Sequence, residues 1–67
     1  MRGIELLAEM INGNIQTGTR YTNGGAVIEK RLYVFRERFK YMDNSVEYTN
    51  FIWSKSSLTD IWTEVEK

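Results

Sequence analysis

Apolar residues recur at helical spacing near the start of the chain, and two more widen the stripe: Ile4, Leu7, Ala8 and Ile11, with Leu6 and Met10. Gly13 follows Asn12 and is the residue type expected where a helix ends in a left-handed conformation. The pattern predicts an amphipathic helix over residues 2–12.

The middle of the chain alternates in the manner of β-strands. Residues 31–42 place aromatic side chains on one face and cationic side chains on the other: Tyr33, Phe35, Phe39 and Tyr41 against Arg36, Arg38 and Lys40. A turn at residues 43–45 and a second strand over residues 46–53 complete a predicted hairpin. Its expected register pairs residues 41, 39 and 35 with residues 47, 49 and 53, so that Phe35 lies beside Trp53 and Lys40 beside Tyr48.

Shorter elements are predicted on both sides of this hairpin. Residues 19–22 form a short strand, residues 23–25 a turn and residues 26–28 a further extended segment. Ser57 is expected to cap a helical turn with Asp60 in the capping-box position, and Leu58, Ile61 and Trp62 then point inward together. Residues 63–66 alternate again and suit an exposed edge strand. The prediction is an α+β fold in which an N-terminal helix packs on a small, mainly antiparallel sheet of 3–5 strands, with a short helical turn near the C-terminus.

The amino-acid composition excludes several kinds of catalytic and metal-binding site. The 67 residues form a single domain, residues 1–67, and contain no Cys and no His. Disulfides are therefore impossible, and zinc or haem sites lack their usual ligands. No Ser-x-x-Lys motif is present, and Gly24-Gly25 lacks the spacing of a phosphate-binding loop. We expect no enzymatic activity, no cofactor and no metal, and we expect a homo-oligomer because so small a core is marginal.

The charge and hydropathy patterns bear on the environment of the protein. No apolar stretch approaches the 18 residues of a membrane span, and Glu5 and Glu9 interrupt the apolar run that a signal peptide would need. These features favour a soluble protein of the cytoplasm. The net charge of zero disfavours a strongly basic nucleic-acid binder.

Charge is unevenly distributed along the chain. Residues 29–42 hold five cations and two anions, a net charge of +3, whereas residues 43–67 have a net charge of −3. Arg36, Arg38 and Lys40 could form a stripe that binds phosphates. The favoured alternative is an ordinary solvated sheet face, on which Glu47, Glu64 or Glu66 would neutralise these cations from neighbouring strands.

Two uses of the aromatic residues are open. Tyr33, Phe35, Phe39 and Tyr41 could stack on nucleic-acid bases, but a one-helix, one-sheet domain must bury one sheet face, and these residues are the favoured candidates for that core. Tyr48, Trp53 and Trp62 are less constrained, and any of them left exposed would suit a partner interface. The candidate binding residues are accordingly Arg36, Arg38, Lys40, Tyr48 and Trp53.

The order of features carries a resemblance. A helix that ends in Gly covers residues 4–13, Gly18-Thr19 follow it, and residues 58–66 read Leu-Thr-Asp-Ile-Trp-Thr-Glu-Val-Glu. This arrangement resembles small proteins of phages and prophages of Gram-positive bacteria, and it is more loosely similar to the phage anti-Thoeris sponge proteins. The resemblance implies an accessory protein in the host bacterial cell that binds a host protein or a small nucleotide signal. No residue of this chain is assigned a binding role from the resemblance.

Three functional hypotheses follow. The first is a non-catalytic phage-type protein that inhibits or sequesters a host defence factor or nucleotide signal. The second is a nucleic-acid-binding module that uses the cationic strand face, whose binding would weaken steeply with salt. The third is a structural or assembly component of a virion.

Overall fold

The computed structural model describes residues 1–65 and confirms the predicted α+β class. Its elements are α1 (Gly3–Ile11), β1 (Arg20–Thr22), β2 (Val27–Arg31), β3 (Val34–Lys40), β4 (Val46–Asn50), α2 (Lys55–Thr59) and β5 (Thr63–Val65). The strands form one sheet in the order β4-β3-β2-β1-β5, and every neighbouring pair is antiparallel. β5 lies at the sheet edge as predicted, with residue 66 outside the described residues.

α1 begins and ends one residue inside the predicted range and buries only part of the predicted stripe. Leu6 is fully buried and Met10 packs against the core, whereas Ile4 and Ile11 are 59% and 72% exposed. Leu6 and Met10, which only widen the predicted stripe, therefore provide the core contact. Gly13 has a φ of +75°, which confirms the predicted left-handed helix stop.

The predicted strand over residues 31–42 contains β3 but is too long, because the chain reverses near its start. Arg31 pairs with Val34, so Leu32 and Tyr33 form a two-residue turn between β2 and β3. The turn contains neither Gly nor Asn, the residues that normally mark such a reversal, and this is why the sequence pattern hides it. β2 extends from the predicted segment at residues 26–28 into this turn.

The hairpin of β3 and β4 forms, but its register differs from the predicted one by two residues. Phe39 pairs with Glu47 and Arg38 with Tyr48, so Lys40 lies opposite Val46. The change of two preserves the face of every side chain. β4 ends at Asn50, earlier than predicted, because the chain then leaves the sheet.

Only one residue of the predicted aromatic core face is buried. Phe35 is 3% exposed, whereas Tyr33, Phe39 and Tyr41 are 89%, 44% and 51% exposed. The core is instead assembled from several elements: Leu6, Ile15, Tyr21, Ile28, Phe35 and Trp62. The predicted contact of Phe35 with Trp53 does form, as an edge-to-face pair with 6.0 Å between ring centroids, although the strand pairing does not create it.

The C-terminal helical turn begins earlier than predicted. Ser54, not Ser57, is the N-cap, and its side chain accepts a hydrogen bond from the Ser57 backbone N–H while the Ser57 hydroxyl bonds back to Ser54. Asp60 follows the helix as its C-cap. Of the residues expected to point inward, Trp62 is buried, Leu58 is half-buried and Ile61 is 58% exposed.

Candidate functional site

The strand register defines a second sheet face, opposite the core. Cross-strand partners share a face, and Arg20 pairs with Glu29, Glu29 with Arg36, and Arg36 with Asn50. Alternation along each strand places all of the following charged residues on that face, which we call the open face: Arg20, Glu29, Arg31, Arg36, Arg38 and Lys40. Glu29 is buried, but the cations remain wholly or partly exposed.

The two sheet faces carry opposite charge. On the described strands, the open face holds five cations and one carboxylate, which leaves a net charge of +4. The core face of the same strands holds one cation and three carboxylates, a net charge of −2: Lys30, Glu37, Glu47 and Glu64. A chain with no net charge thus forms a sheet whose two faces carry opposite net charge.

Glu29 lies on the central strand β2 and organises the side chains around it on the open face. Its carboxylate accepts hydrogen bonds from Arg20 at 2.8 Å, from Arg31 at 3.1 Å and from the Tyr48 hydroxyl at 3.2 Å. Burial alone would raise the pKa of Glu29, but these three donors outweigh it and hold the pKa below its ordinary value. In return, the hydrogen bond to Glu29 raises the pKa of Arg20. The carboxylate is therefore committed to holding two guanidinium groups and a phenol in place.

Among the described residues, the other three cations have no carboxylate partner. Within residues 1–65, the ion pairs are Arg20–Glu29 and Arg31–Glu29, and neither involves β3. Arg36 donates to the Asn50 side chain at 2.7 Å, while the buried Nε of Arg38 has no hydrogen-bond partner in the part of the chain that the structure describes. β3 thus presents positive charge that no described carboxylate neutralises.

The predicted neutralising partners lie on the wrong face. Glu47 is opposite Phe39, and Glu64 is opposite Tyr21, so both carboxylates belong to the core face of the sheet. Residue 66, the third predicted partner, lies outside the described residues. If this face is an ordinary solvated surface, its cations are therefore not neutralised by Glu47 or Glu64 on neighbouring strands.

Four of the five candidate binding residues come together. Arg36, Arg38, Lys40 and Tyr48 share the open face, and the Arg31 guanidinium lies 4.5 Å from the centroid of the Tyr48 ring. This cation–π contact orients both groups.

Trp53 does not join the open face. It is half-buried in the aromatic cluster beside the core, where its ring makes edge-to-face contacts with Phe35, Phe51 and Trp62. Its position is therefore explained by packing.

The sequence pattern missed three members of the site. In an unbroken strand, Arg31 would alternate with Phe35 onto the aromatic face, but the two-residue turn moves it onto the face of Arg36. Arg20 and Glu29 join through the pairing of β1 with β2. The available signal was the opposite charge of Arg20 and Glu29 on either side of the Asn-Gly-Gly turn.

A groove opens on this face at the turn between β2 and β3. It has a volume of about 670 Å³ and is lined by the following residues: Thr17, Gly18, Glu29, Arg31, Leu32, Tyr33, Val34 and Arg36. Because Glu29 is occupied by its own donors, the charged groups available to a ligand there are the guanidinium groups of Arg31 and Arg36. The chemistry fits an anion with an apolar or aromatic portion.

No family model matches the chain, and no curated protein or solved structure matches it. No helix among the described residues is long and apolar enough to cross a membrane. Within the same residues, no group of acidic side chains is arranged to hold a metal ion.

Proposed function

We propose that the protein is a non-catalytic binding protein that takes single-stranded nucleic acid on its open face. The observation that carries the proposal is the net charge of +4 on the described strands of that face, in a chain whose net charge is zero. Phosphate contacts supply most of the sequence-independent affinity of nucleic-acid binders, so the local charge matters more than the total.

The spacing of the cations on β3 suits a phosphate backbone. Arg36, Arg38 and Lys40 occupy alternate positions of one strand, so their side chains emerge roughly 6.7 Å apart. An extended single strand presents its phosphates at a comparable interval and can follow such a row. Arg31 lies on the adjoining strand β2 and Arg20 on the next strand, β1, and together they widen the row into a surface.

A test compares two lysine substitutions that change the charge equally. Lys40→Glu reverses a cation of the open face, and Lys55→Glu reverses another exposed cation, at the start of α2. Binding of a fluorescently labelled single strand is measured by anisotropy between about 50 and 200 mM salt. We expect Lys40→Glu to weaken binding about tenfold and to lower the salt slope by about one, while Lys55→Glu stays near the wild type.

The combined variant Arg36→Glu with Lys40→Glu should lose binding by a factor of about one hundred, since two phosphate contacts become repulsive. Arg38 is left in place because its Nε is buried and its replacement could disturb the fold. If the wild-type protein binds neither single nor double strands at about 50 mM salt, the open face is an ordinary solvated surface and the proposal fails.

A second candidate function is the capture of a host protein, as the resemblance to phage accessory proteins implies. The observation that favours it is an apolar stripe on the outer side of α1. Ile4, Ala8 and Ile11 are one helical turn apart and all exposed. Such stripes bind grooves of partner proteins.

Native mass spectrometry of the protein purified from its bacterial host tests this second candidate. We expect a partner of defined mass that is lost in Ile11→Lys but kept in Ile52→Lys, which changes another exposed isoleucine away from α1. Loss in both variants, or in neither, would contradict a specific role of α1. The same spectra give the mass of the unliganded protein and thereby test the predicted homo-oligomer.

A further inference from the structure

The turn between β2 and β3 combines backbone strain with exposed apolar side chains. Leu32 adopts a φ of +58°, a conformation that a branched apolar residue rarely takes and that Gly or Asn adopts readily. Strain of this kind persists only where the surrounding structure imposes it, and it clusters at binding sites. Here the paired strands impose it, because Arg31 and Val34 pair directly across the turn.

Packing within the domain does not account for the residues of this turn. Leu32 is 73% exposed, Tyr33 is 89% exposed and the adjacent Val34 is 47% exposed. Side chains that bury so little surface contribute little to folding, so they do not offset the unfavourable backbone. A phenol ring is instead held out from the sheet on a two-residue turn.

The surroundings of Tyr33 are complementary to a nucleotide. Tyr33 lines the groove together with Arg31 and Arg36, the two guanidinium groups of the open face nearest to the turn. Arg31 is fixed by its ion pair with Glu29 and by its contact with the ring of Tyr48. An aromatic ring beside fixed cations is the combination that proteins use to stack a base while they hold its phosphate.

We propose that Tyr33 is a base-stacking site at the end of the open face, where an unpaired nucleobase lies on the phenol ring while the adjacent phosphates contact Arg31 and Arg36. This inference rests on the proposed function and adds the ligand class to it. The turn places the ring at the edge of the groove, beside both guanidinium groups. Bases within a duplex are already stacked and paired, so the site favours single strands.

The experiment compares Tyr33→Ala with Tyr33→Phe, which keeps the ring, and with Tyr41→Ala, which removes another exposed tyrosine that lies outside the groove. Each variant is titrated with a labelled oligothymidine single strand and with a duplex of matched length. We expect Tyr33→Ala to weaken single-strand binding about tenfold, with Tyr33→Phe and Tyr41→Ala near the wild type. Duplex binding and the salt slope should not change, because the phosphate contacts remain.

The two proposals fail in different ways. If Lys40→Glu weakens binding but Tyr33→Ala does not, the open face binds phosphates and the stacking site is overturned. An equal loss of single-strand and duplex affinity in Tyr33→Ala would also overturn it, because an unpaired base would not be the group recognised. If the wild type binds no oligonucleotide, both proposals fail together. Thermal melting of each variant confirms that the fold is retained, which the exposure of Tyr33 leads us to expect.

Discussion

Trp62→Ala is expected to lower the free energy of unfolding by about 3–5 kcal/mol, the largest loss of stability that we expect from a single substitution. Trp62 is 1% exposed, and its ring makes edge-to-face contacts with Phe51 and Trp53. Its indole N–H donates to the buried Ser57 carbonyl at 2.9 Å, and its backbone N–H donates to the Met1 carbonyl. One residue therefore joins the aromatic cluster, α2 and the N-terminal segment.

Urea denaturation followed by circular dichroism measures this effect. A domain of this size has a stability of roughly 5 kcal/mol or less, so we expect the variant to be largely unfolded without denaturant. Trp62→Phe is the matched variant, because it keeps an aromatic ring and loses the hydrogen bond to Ser57. It should cost less than Trp62→Ala. A Trp62→Ala protein that unfolds at the same urea concentration as the wild type would show that Trp62 does not pack in the core.

Glu29→Gln is expected to lower stability by roughly 2–4 kcal/mol at neutral pH. The substitution keeps the shape of the side chain but removes the charge that binds Arg20 and Arg31. The upper end of the usual range for a buried ion pair does not apply, because the Arg20 and Arg31 side chains are 24% and 47% exposed and water can solvate them.

The same carboxylate predicts a pH dependence. Its pKa in the folded state is lowered, so in acid the unfolded chain binds a proton more readily than the folded protein does. The stabilisation is present above the ordinary glutamate pKa of about 4.3 and is lost as the pH falls through the lowered pKa of the folded state. The stability difference between the wild type and Glu29→Gln should therefore shrink as the pH is taken below about 4.3.

Urea denaturation at several pH values tests this behaviour, with Glu64→Gln as the control because Glu64 is an exposed carboxylate on an edge strand. The control should stay close to the wild type at neutral pH. A constant difference between the wild type and Glu29→Gln from neutral to acidic pH would mean that the charge of Glu29 contributes nothing to folding.

Alternation and turn signals predicted elements well where the local chemistry was distinctive. α1, the turn before β2 and the hairpin of β3 with β4 are all present, because helical spacing, Asn-Gly-Gly and Asp-Asn-Ser are local signals. The turn at Leu32 and Tyr33 carries no such signal. Without such a signal, the pattern predicts one long strand where the structure has the end of β2, a turn and β3. This error places Arg31 on the wrong face and makes the aromatic side chains the expected core face.

Residue spacing within single segments was enough to predict the α+β class, most of the elements and the cationic row of Arg36, Arg38 and Lys40. The charges that meet across strands could be read only from the folded chain. Pairing moved Glu47 and Glu64 to the core face and brought Arg20 and Arg31 around Glu29. Register and burial depend on contacts between distant segments, so the positive charge of the open face is a property of the fold.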